Sequence, residues 1–438
     1  MARTLKSAAL CVLLGALTLL SGCGASPMGE TLYRLPKLPK EYQSLETRID
    51  ELIALGAEFA APTSGSNLQS VQMVDLDGDG EEEALAFFRR AGDERPLKIY
   101  IFRAAGDSYE QYCVIEGASN SIYSVNYVDL DGDGWREILT GIRGDLDVQN
   151  LSVWSVRAGE PRRLLLTGYS RYAARDLDGD GRQDLVVLRS DEENYAVADD
   201  YFWNGAELVL RSSMHLTGTV AELSRLTSGT LSDGGNALFV TFATQDGTAA
   251  TDILTMGDGA LRNVKSGGDV GKVYHFLDLY PSDVNADGVT EVPEPVPFAL
   301  SDPNADVYYR ICWRQYDAAG NSTQVRETYL DAQSGWNLIL PEGWGERVCL
   351  ARTSGADGSA VTFSRVDGEK TEPFLTVYAL TGFIRSQLAL RNGRILLARQ
   401  AEVTYAADLY GEGMGMIDEQ TLRESFGLNA AEWTTGEN

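Results

Sequence analysis

Three features of the sequence predict an all-β fold. An acidic loop of nine residues recurs along the chain, with its copies starting at Asp75, Asp129, Asp176 and Asp283. The segments that leave these loops are short and rich in the residues that favour β-strands. The copies are 54, 47 and 107 residues apart, and a unit of that shorter length has room for four short strands. Together they predict a β-propeller of about six four-stranded blades, or seven if residues 383–410 complete another, with a short N-terminal helix.

The composition is that of a folded, acidic protein. The 438 residues include 64 Asp and Glu against 37 Lys and Arg, a formal net charge of −27 at pH 7. The hydrophobic fraction of 44% is too high for a disordered acidic chain. Because this charge repels a phosphate backbone and no Lys/Arg cluster offsets it, we expect no nucleic-acid partner.

The N-terminus predicts export and attachment to a membrane. Arg3 and Lys6 precede an apolar run, Ala8–Leu20, that is shorter than the ~20 residues needed to cross a bilayer. The next segment, Leu20-Ser21-Gly22-Cys23, resembles the lipobox of bacterial lipoproteins. That resemblance implies a signal peptide over 1–22, a lipid on the Cys23 thiol and an extracytoplasmic protein anchored to the membrane. An ordinary secretory signal with a chance cysteine is the alternative.

The rest of the chain divides by composition and periodicity. Residues 23–40 are small, polar and proline-bearing, which suits a tether. Within 41–66, apolar residues at helical spacing predict a helix over about 41–55, and a linker containing Pro62 follows. We assign 67–410 to the propeller and 411–438 to a C-terminal extension with a short helix. In the first repeat we expect strands near 70–74, 84–89, 97–103 and 109–115.

The four loops, numbered 1 to 4 in chain order, place oxygen-bearing side chains at positions one, three, five and nine. A backbone carbonyl at position seven would complete each set of ligands. The predicted ligands are Asp75, Asp77, Asp79, Glu81 and Glu83 in loop 1; Asp129, Asp131, Asp133, Trp135 and Glu137 in loop 2; Asp176, Asp178, Asp180, Arg182 and Asp184 in loop 3; and Asp283, Asn285, Asp287, Val289 and Glu291 in loop 4.

These ligands suit calcium. Ca²⁺ accepts six to eight oxygens in a flexible geometry, whereas Mg²⁺ demands a tight octahedron. An EF-hand would need a closing Glu at position twelve and helices on both sides. Here position twelve is Ala86, Thr140 and Val187 in the first three loops, and the prolines after loop 4 would break a helix. The sequence therefore predicts structural calcium in strand–loop–strand units.

Two weaker copies of the acidic loop complete the series of repeats. One surrounds Asp233, near the middle of the long interval, and the other surrounds Asp357. With them the pattern resembles the FG-GAP/VCBS repeat family, the propeller type also found in integrin α-subunits. The resemblance covers about three quarters of the chain. It implies a binding or scaffolding module whose ligand is an unknown protein or glycan. The two weak copies lack the acidic pattern, which puts calcium binding there in doubt.

An enzyme acting on polysaccharide or another surface polymer is the alternative function. The only histidines, His215 and His275, lie in apolar stretches and are expected to be packed strand residues. The acidic pairs Glu192-Glu193 and Asp199-Asp200 are expected in solvated loops. The tripeptide Arg143-Gly144-Asp145 resembles the one that integrins recognise, and we interpret this match as a coincidence.

Other conspicuous residues are expected to be structural. Five tryptophans would form a carbohydrate platform if exposed, but they are expected in the core, namely Trp154, Trp203, Trp313, Trp336 and Trp344. Three cysteines are spaced too widely for a disulfide framework and are expected as core thiols, namely Cys113, Cys312 and Cys349. A disulfide bond between Cys312 and Cys349 is the alternative for two of these thiols.

Overall fold

A computed structural model describes residues 40–119, 121–143, 149–243, 249–264, 279–300, 306–368 and 370–430. The signal peptide, Cys23, most of the tether, His275 and residues 144–145 of the Arg-Gly-Asp tripeptide lie outside these ranges. In the described part of the chain, no helix has both the length and the apolar character needed to span a bilayer.

The described residues form mostly antiparallel β-sheet, as predicted, in six sheets that we number in chain order. Sheet 1 contains β1 (Ala57–Phe59), β2 (Val71–Val74), β3 (Glu83–Arg90), β4 (Leu97–Ala105) and β5 (Ser108–Gly117). Sheet 2 contains β6 (Ser124–Val128), β7 (Glu137–Arg143), β8 (Gln149–Ser155) and β9 (Arg162–Gly168). Sheet 3 contains β10 (Arg171–Arg175), β11 (Asp184–Ser190), β12 (Tyr195–Trp203) and β13 (Leu208–Thr219).

The second half of the chain repeats this pattern with additions. Sheet 4 contains β14 (Leu223–Thr230), β15 (Asn236–Ala243), β16 (Ala249–Gly257) and β17 (Ala260–Asn263). Sheet 5 contains β18 (Val292–Pro297), β19 (Tyr309–Tyr316), β20 (Ser322–Asp331), β21 (Trp336–Ile339) and β27 (Phe426–Leu428). Sheet 6 contains β22 (Val348–Gly355), β23 (Gly358–Asp367), β24 (Lys370–Leu380), β25 (Ile395–Arg399) and β26 (Thr404–Leu409).

Strands within a sheet follow chain order, with three exceptions. The segment expected to be a plain linker forms β1, which pairs with the last three residues of β3, while β2 pairs with its first four. In sheet 6 the order is β24-β26-β25. The C-terminal extension returns to sheet 5, where β27 pairs with β21. Three prolines lie in β18, which pairs only with β19, and such an edge position tolerates their missing N–H groups.

In the part of the chain that the structure describes, three α-helices flank the sheets: α1 (Lys40–Ala54), α2 (Arg385–Leu388) and α3 (Glu419–Ser425). The first lies where the sequence predicts a helix. Its apolar side, with Leu45 buried and Tyr42, Ile49 and Leu52 half-buried, packs on one face of sheet 1. Among the described residues, short 3-10 helices span Val220–Glu222, Arg391–Gly393 and Gly411–Gly415.

Consecutive sheets share hydrophobic clusters. Strand β7 shows how this works, because its adjacent residues Ile138 and Leu139 point to opposite faces. Ile138 joins a cluster with sheet 1, and Leu139 joins one with sheet 3. Further clusters connect sheets 3 and 4, sheets 4 and 5, and sheets 5 and 6. The six sheets therefore form a series in which each repeat packs on its neighbours.

Several expectations about individual residues were wrong. Asp199 and Asp200 lie inside β12 and are almost completely buried, because arginines from neighbouring strands pair with them. His215 lies on a strand, but its side chain is 72% exposed, and its Nε2 lies 3.0 Å from the Asp191 carboxylate. Glu192 and Glu193 are exposed in a loop, as predicted.

The tryptophans and cysteines are largely internal. Trp313, Trp336 and Trp344 are fully buried, while Trp154 and Trp203 are half-buried. The three described cysteines are buried free thiols, so Cys312 and Cys349 do not form a bridge. Burial raises the pKa of Cys312 to about 11 and that of Cys113 to about 12, which makes both thiols poor nucleophiles.

Candidate metal sites

Loops 1, 2 and 3 connect β2 to β3, β6 to β7 and β10 to β11, and loop 4 directly precedes β18. The flanking residues pair across each loop, for example Val74 with Glu83 and Val128 with Glu137. In loop 4 the equivalent pair, Ser282 and Glu291, forms an isolated bridge. Position nine is the first residue of β3, β7 and β11 in loops 1 to 3 and directly precedes β18 in loop 4, so strand pairing fixes where its side chain points.

The closing carboxylate at position nine is buried in every loop. There it accepts a hydrogen bond from the backbone N–H of position two. The donor–acceptor distances are 2.8 Å from Leu76 to Glu83, 3.0 Å from Leu130 to Glu137, 2.9 Å from Leu177 to Asp184 and 2.8 Å from Val284 to Glu291. The position-two side chains are also buried and anchor each loop to the core.

The carboxylate at position one organises the rest of the loop. Asp75 accepts hydrogen bonds from Gly78 N–H at 2.7 Å and Gly80 N–H at 3.1 Å. Asp129 and Asp176 make the same pairs of contacts. The loop can turn back around the position-one carboxylate only with a positive φ at position four, and this angle is 73° at Gly78. Loop 4 has Ala286 there, at a φ of 61° that L-residues other than Asn and Asp seldom adopt.

Each loop brings carboxylate oxygens from three acidic residues within 4.8 Å of one another. In loops 1 to 3 these residues occupy positions one, three and nine, and in loop 4 positions one, five and nine. The clusters are Asp75, Asp77 and Glu83; Asp129, Asp131 and Glu137; Asp176, Asp178 and Asp184; and Asp283, Asp287 and Glu291. An all-oxygen set of this density can hold a hard cation.

The remaining predicted ligands lie around these clusters. The position-five residues Asp79, Asp133 and Asp180 accept hydrogen bonds from the position-seven N–H. In loop 4, Asn285 donates to Asp287 at 2.9 Å. The position-seven carbonyls of Glu81, Trp135, Arg182 and Val289 stay predicted ligands.

Burial destabilises the charged form of the closing acids at position nine. Burial raises the pKa of Glu137 to about 8, although the hydrogen bond from Leu130 opposes the shift and the nearby aspartates add to it. Burial raises the pKa of Asp184 to about 6, against the opposing effects of Leu177 N–H and Arg211. The pKa values of Glu83 and Glu291 are raised by burial as well. A bound cation would favour the charged forms of all four.

Neighbouring strands bring three side chains to these acids that the sequence did not point to. Arg103 reaches Asp77 at 2.6 Å and Glu83 at 3.3 Å. Arg211 lies 2.6 Å from both Asp178 and Asp184. Gln315 donates to Asp287 and Glu291, each at 2.7 Å. These residues lie outside the repeated nonapeptide, and only knowledge of strand pairing could have identified them.

The two weak copies have a different geometry. Around Asp233 the connection between β14 and β15 has five residues instead of eight, and Asp233 accepts hydrogen bonds from Gly235 and Ala318 N–H. Around Asp357 a two-residue turn joins β22 to β23. Within the described ranges, clusters of three acids occur in the four long loops and not at these two turns.

Loops from consecutive sheets touch. Arg136 N–H donates to the Leu76 carbonyl at 2.7 Å, which joins loop 2 to loop 1. Arg182 of loop 3 packs against loop 2 at Gly132, where an added Cβ would lie 3.1 Å from its Cγ. Loops 1, 2 and 3 therefore lie side by side, and a change in one can affect the next.

Comparison with family models and with curated proteins adds no relative. No family model matches the chain. No curated protein matches it either. The resemblance to FG-GAP/VCBS repeats therefore depends on the acidic loops and the strands around them.

Proposed function

We propose that this protein is a lipid-anchored, extracytoplasmic, calcium-binding β-propeller of the FG-GAP/VCBS type that serves as a binding or scaffolding module. The observation that carries the proposal is the recurrence of one loop geometry in four sheets, each time with three acidic side chains converging within 4.8 Å. The series of four- to five-stranded antiparallel sheets supports it, because such sheets match the blades of a propeller.

Calcium suits the acidic loops for two reasons. Their ligands are carboxylates and carbonyls, the oxygen ligands that Ca²⁺ takes in flexible geometries. In loop 2 the closing acid Glu137 is also buried beside Asp129 and Asp131, so a divalent ion would relieve the repulsion between these like charges. The metal in this proposal is structural, and it holds the loops in shape between strands.

The binding surface in this proposal is the side opposite the acidic loops. Since loops 1 and 3 lead into β3 and β11, the loops that follow these two strands emerge at the other end of each sheet. Two of these loops, 91–96 in sheet 1 and 191–194 in sheet 3, differ in length and sequence while the acidic loops repeat. Variable loops on a rigid frame suit recognition of a protein or glycan.

Thermal unfolding of the purified full-length chain tests the calcium part of the proposal. A site that binds only the folded chain stabilises it by about 2.7 kcal/mol when free calcium is a hundredfold above the dissociation constant. We expect a higher melting temperature in calcium than in chelator, with magnesium at equal concentration as the control. Equal melting temperatures in calcium and in chelator would contradict the proposal.

A further inference from the structure

The four acidic loops differ in what reaches the closing carboxylate. In loops 1, 3 and 4 one oxygen of this carboxylate accepts the position-two N–H, and the other contacts a side chain from a neighbouring strand. In loop 2, Oε2 of Glu137 accepts Leu130 N–H, but no described residue donates to Oε1. Glu137 is only 1% exposed, and one of its carboxylate oxygens lies within 4.8 Å of carboxylate oxygens of Asp129 and Asp131.

Strand register explains the difference. In sheet 1, Ala84 pairs with Phe102, so the next residues, Glu83 and Arg103, lie opposite each other. In sheet 5, Val292 pairs with Arg314, which places Gln315 opposite Glu291. In sheet 3 the facing residue is Phe202, and Arg211 reaches in from β13 over the phenyl ring, 4.9 Å from its centroid.

Sheet 2 has a short side chain at the equivalent position. Ile138 pairs with Trp154, so Ser155 faces Glu137. A serine cannot fill the space that Arg103 fills in sheet 1. A cleft of about 510 Å³ lies there instead, lined in part by Asp131, Asp133 and Ser155.

The nearest cation does not replace the missing donor. Arg157 pairs with Asp133, the position-five acid at the rim of loop 2, and its side chain is 62% exposed. It makes no ion pair with Asp129, Asp131 or Glu137 among the described contacts. Of the three converging acids of loop 2, Asp131 lines the cleft, and no described ion pair reaches Asp129, Asp131 or Glu137.

We propose that loop 2 is the tight divalent-cation site of this protein, and that Arg103, Arg211 and Gln315 take the place of the ion in loops 1, 3 and 4. The inference rests on the proposed calcium-binding function and narrows it to Asp129, Asp131 and Glu137. The ion class is a hard, oxygen-seeking divalent cation such as Ca²⁺. The cleft beside Ser155 admits it, together with the waters that complete its shell.

Ion counting on the purified full-length chain tests the inference, with Ca²⁺ as the probe and equilibrium dialysis as the measurement. We expect about one tightly bound ion per chain. Among the described contacts, loop 2 alone has no side chain from a neighbouring strand on its closing carboxylate. Glu137→Gln should weaken its binding at least about tenfold, a loss seen even for residues that only support a metal ligand.

An exchange of the facing residues gives the sharper test. Ser155→Arg places a guanidinium where Arg103 stands in sheet 1, and it should abolish the tight ion, whereas Ser155→Ala should retain it. Arg103→Ser should do the reverse in loop 1 and add a second ion. Because Arg103→Ser reads out a gain, it keeps the test decisive even if Ser155→Arg fails to fold.

The outcomes separate the inference from the function beneath it. Four equivalent ions in the unmodified chain, or undiminished binding in folded Ser155→Arg, would overturn the inference while calcium binding itself stood. No second ion in Arg103→Ser would also overturn it. Absence of any bound ion in the unmodified chain would overturn both.

Discussion

Arg211 shows how much one side chain can contribute to this fold. Its guanidinium contacts Asp178, Asp184 and Asp200 at 2.6, 2.6 and 2.7 Å, and the arginine side chain is only 13% exposed. A buried carboxylate left without its partner is costly, because the interior cannot solvate the charge. This arginine therefore balances three acids that would otherwise repel one another.

Replacing Arg211 with Met should destabilise the chain by about 3 kcal/mol or more in chelator, because Asp200, which is fully buried, loses its ion pair. The measurement is the free energy of unfolding in urea. Arg157→Met is the matched control. Its pair with Asp133 lies at the surface, so its loss should cost less than about 1 kcal/mol. Equal losses in the two variants would contradict this account.

Single residues also show what a sequence cannot reveal about burial. Asp199 and Asp200 look like a solvated acidic pair, since acidic residues are common throughout the chain. Their partners, Arg189 and Arg211, lie 10 and 11 residues away and meet them only after β12 pairs with β11 and β13. The acidic loops were easier to predict, because the residues that converge in each loop lie within nine consecutive positions.

Among the elements, strands flanked by the acidic loops were the most predictable. Those expected in the first repeat agree with β2, β3, β4 and β5 to within a few residues. Strands β1 and β27 were missed because each has only three residues, too few for an alternating pattern. Both are held by pairing with distant strands, which is information that local sequence does not carry.

Helix α1 covers part of the sheet 1 face that lies opposite sheet 2, where it packs on Ala84, Ala86, Phe88 and Phe102. Leu45→Ala should destabilise the protein by about 2–5 kcal/mol, because Leu45 is 5% exposed and its removal leaves a cavity. Leu55→Ala is the control, since Leu55 is 65% exposed just after the helix. Urea unfolding of both variants measures the difference, and a neutral Leu45→Ala would show that α1 is not part of the core.

The whole molecule combines a repeated frame with specific ends. The spacing of the loops and turns predicts six repeats, and the structure has six sheets in its described residues. The capping elements do not repeat. Helix α1 covers part of the outer face of sheet 1, and Leu388 of α2 joins a small cluster with Leu380 and Ala406 on sheet 6. Both helices bury apolar side chains on the faces of the first and last sheets that they cover.

Attachment to a membrane is the prediction that concerns the molecule as a whole. Lipid addition at Cys23 needs its thiol, so Cys23→Ala should leave the chain without lipid, and either release it from the membrane or stall its processing. Membrane fractionation together with the mass of the mature chain measures this. Cys113→Ala is the matched control, because that thiol is buried in the fold. Should Cys23→Ala stay in the membrane with the mass of the unmodified protein, the apolar run Ala8–Leu20 would be a simple secretory signal, and another contact would have to hold the protein there.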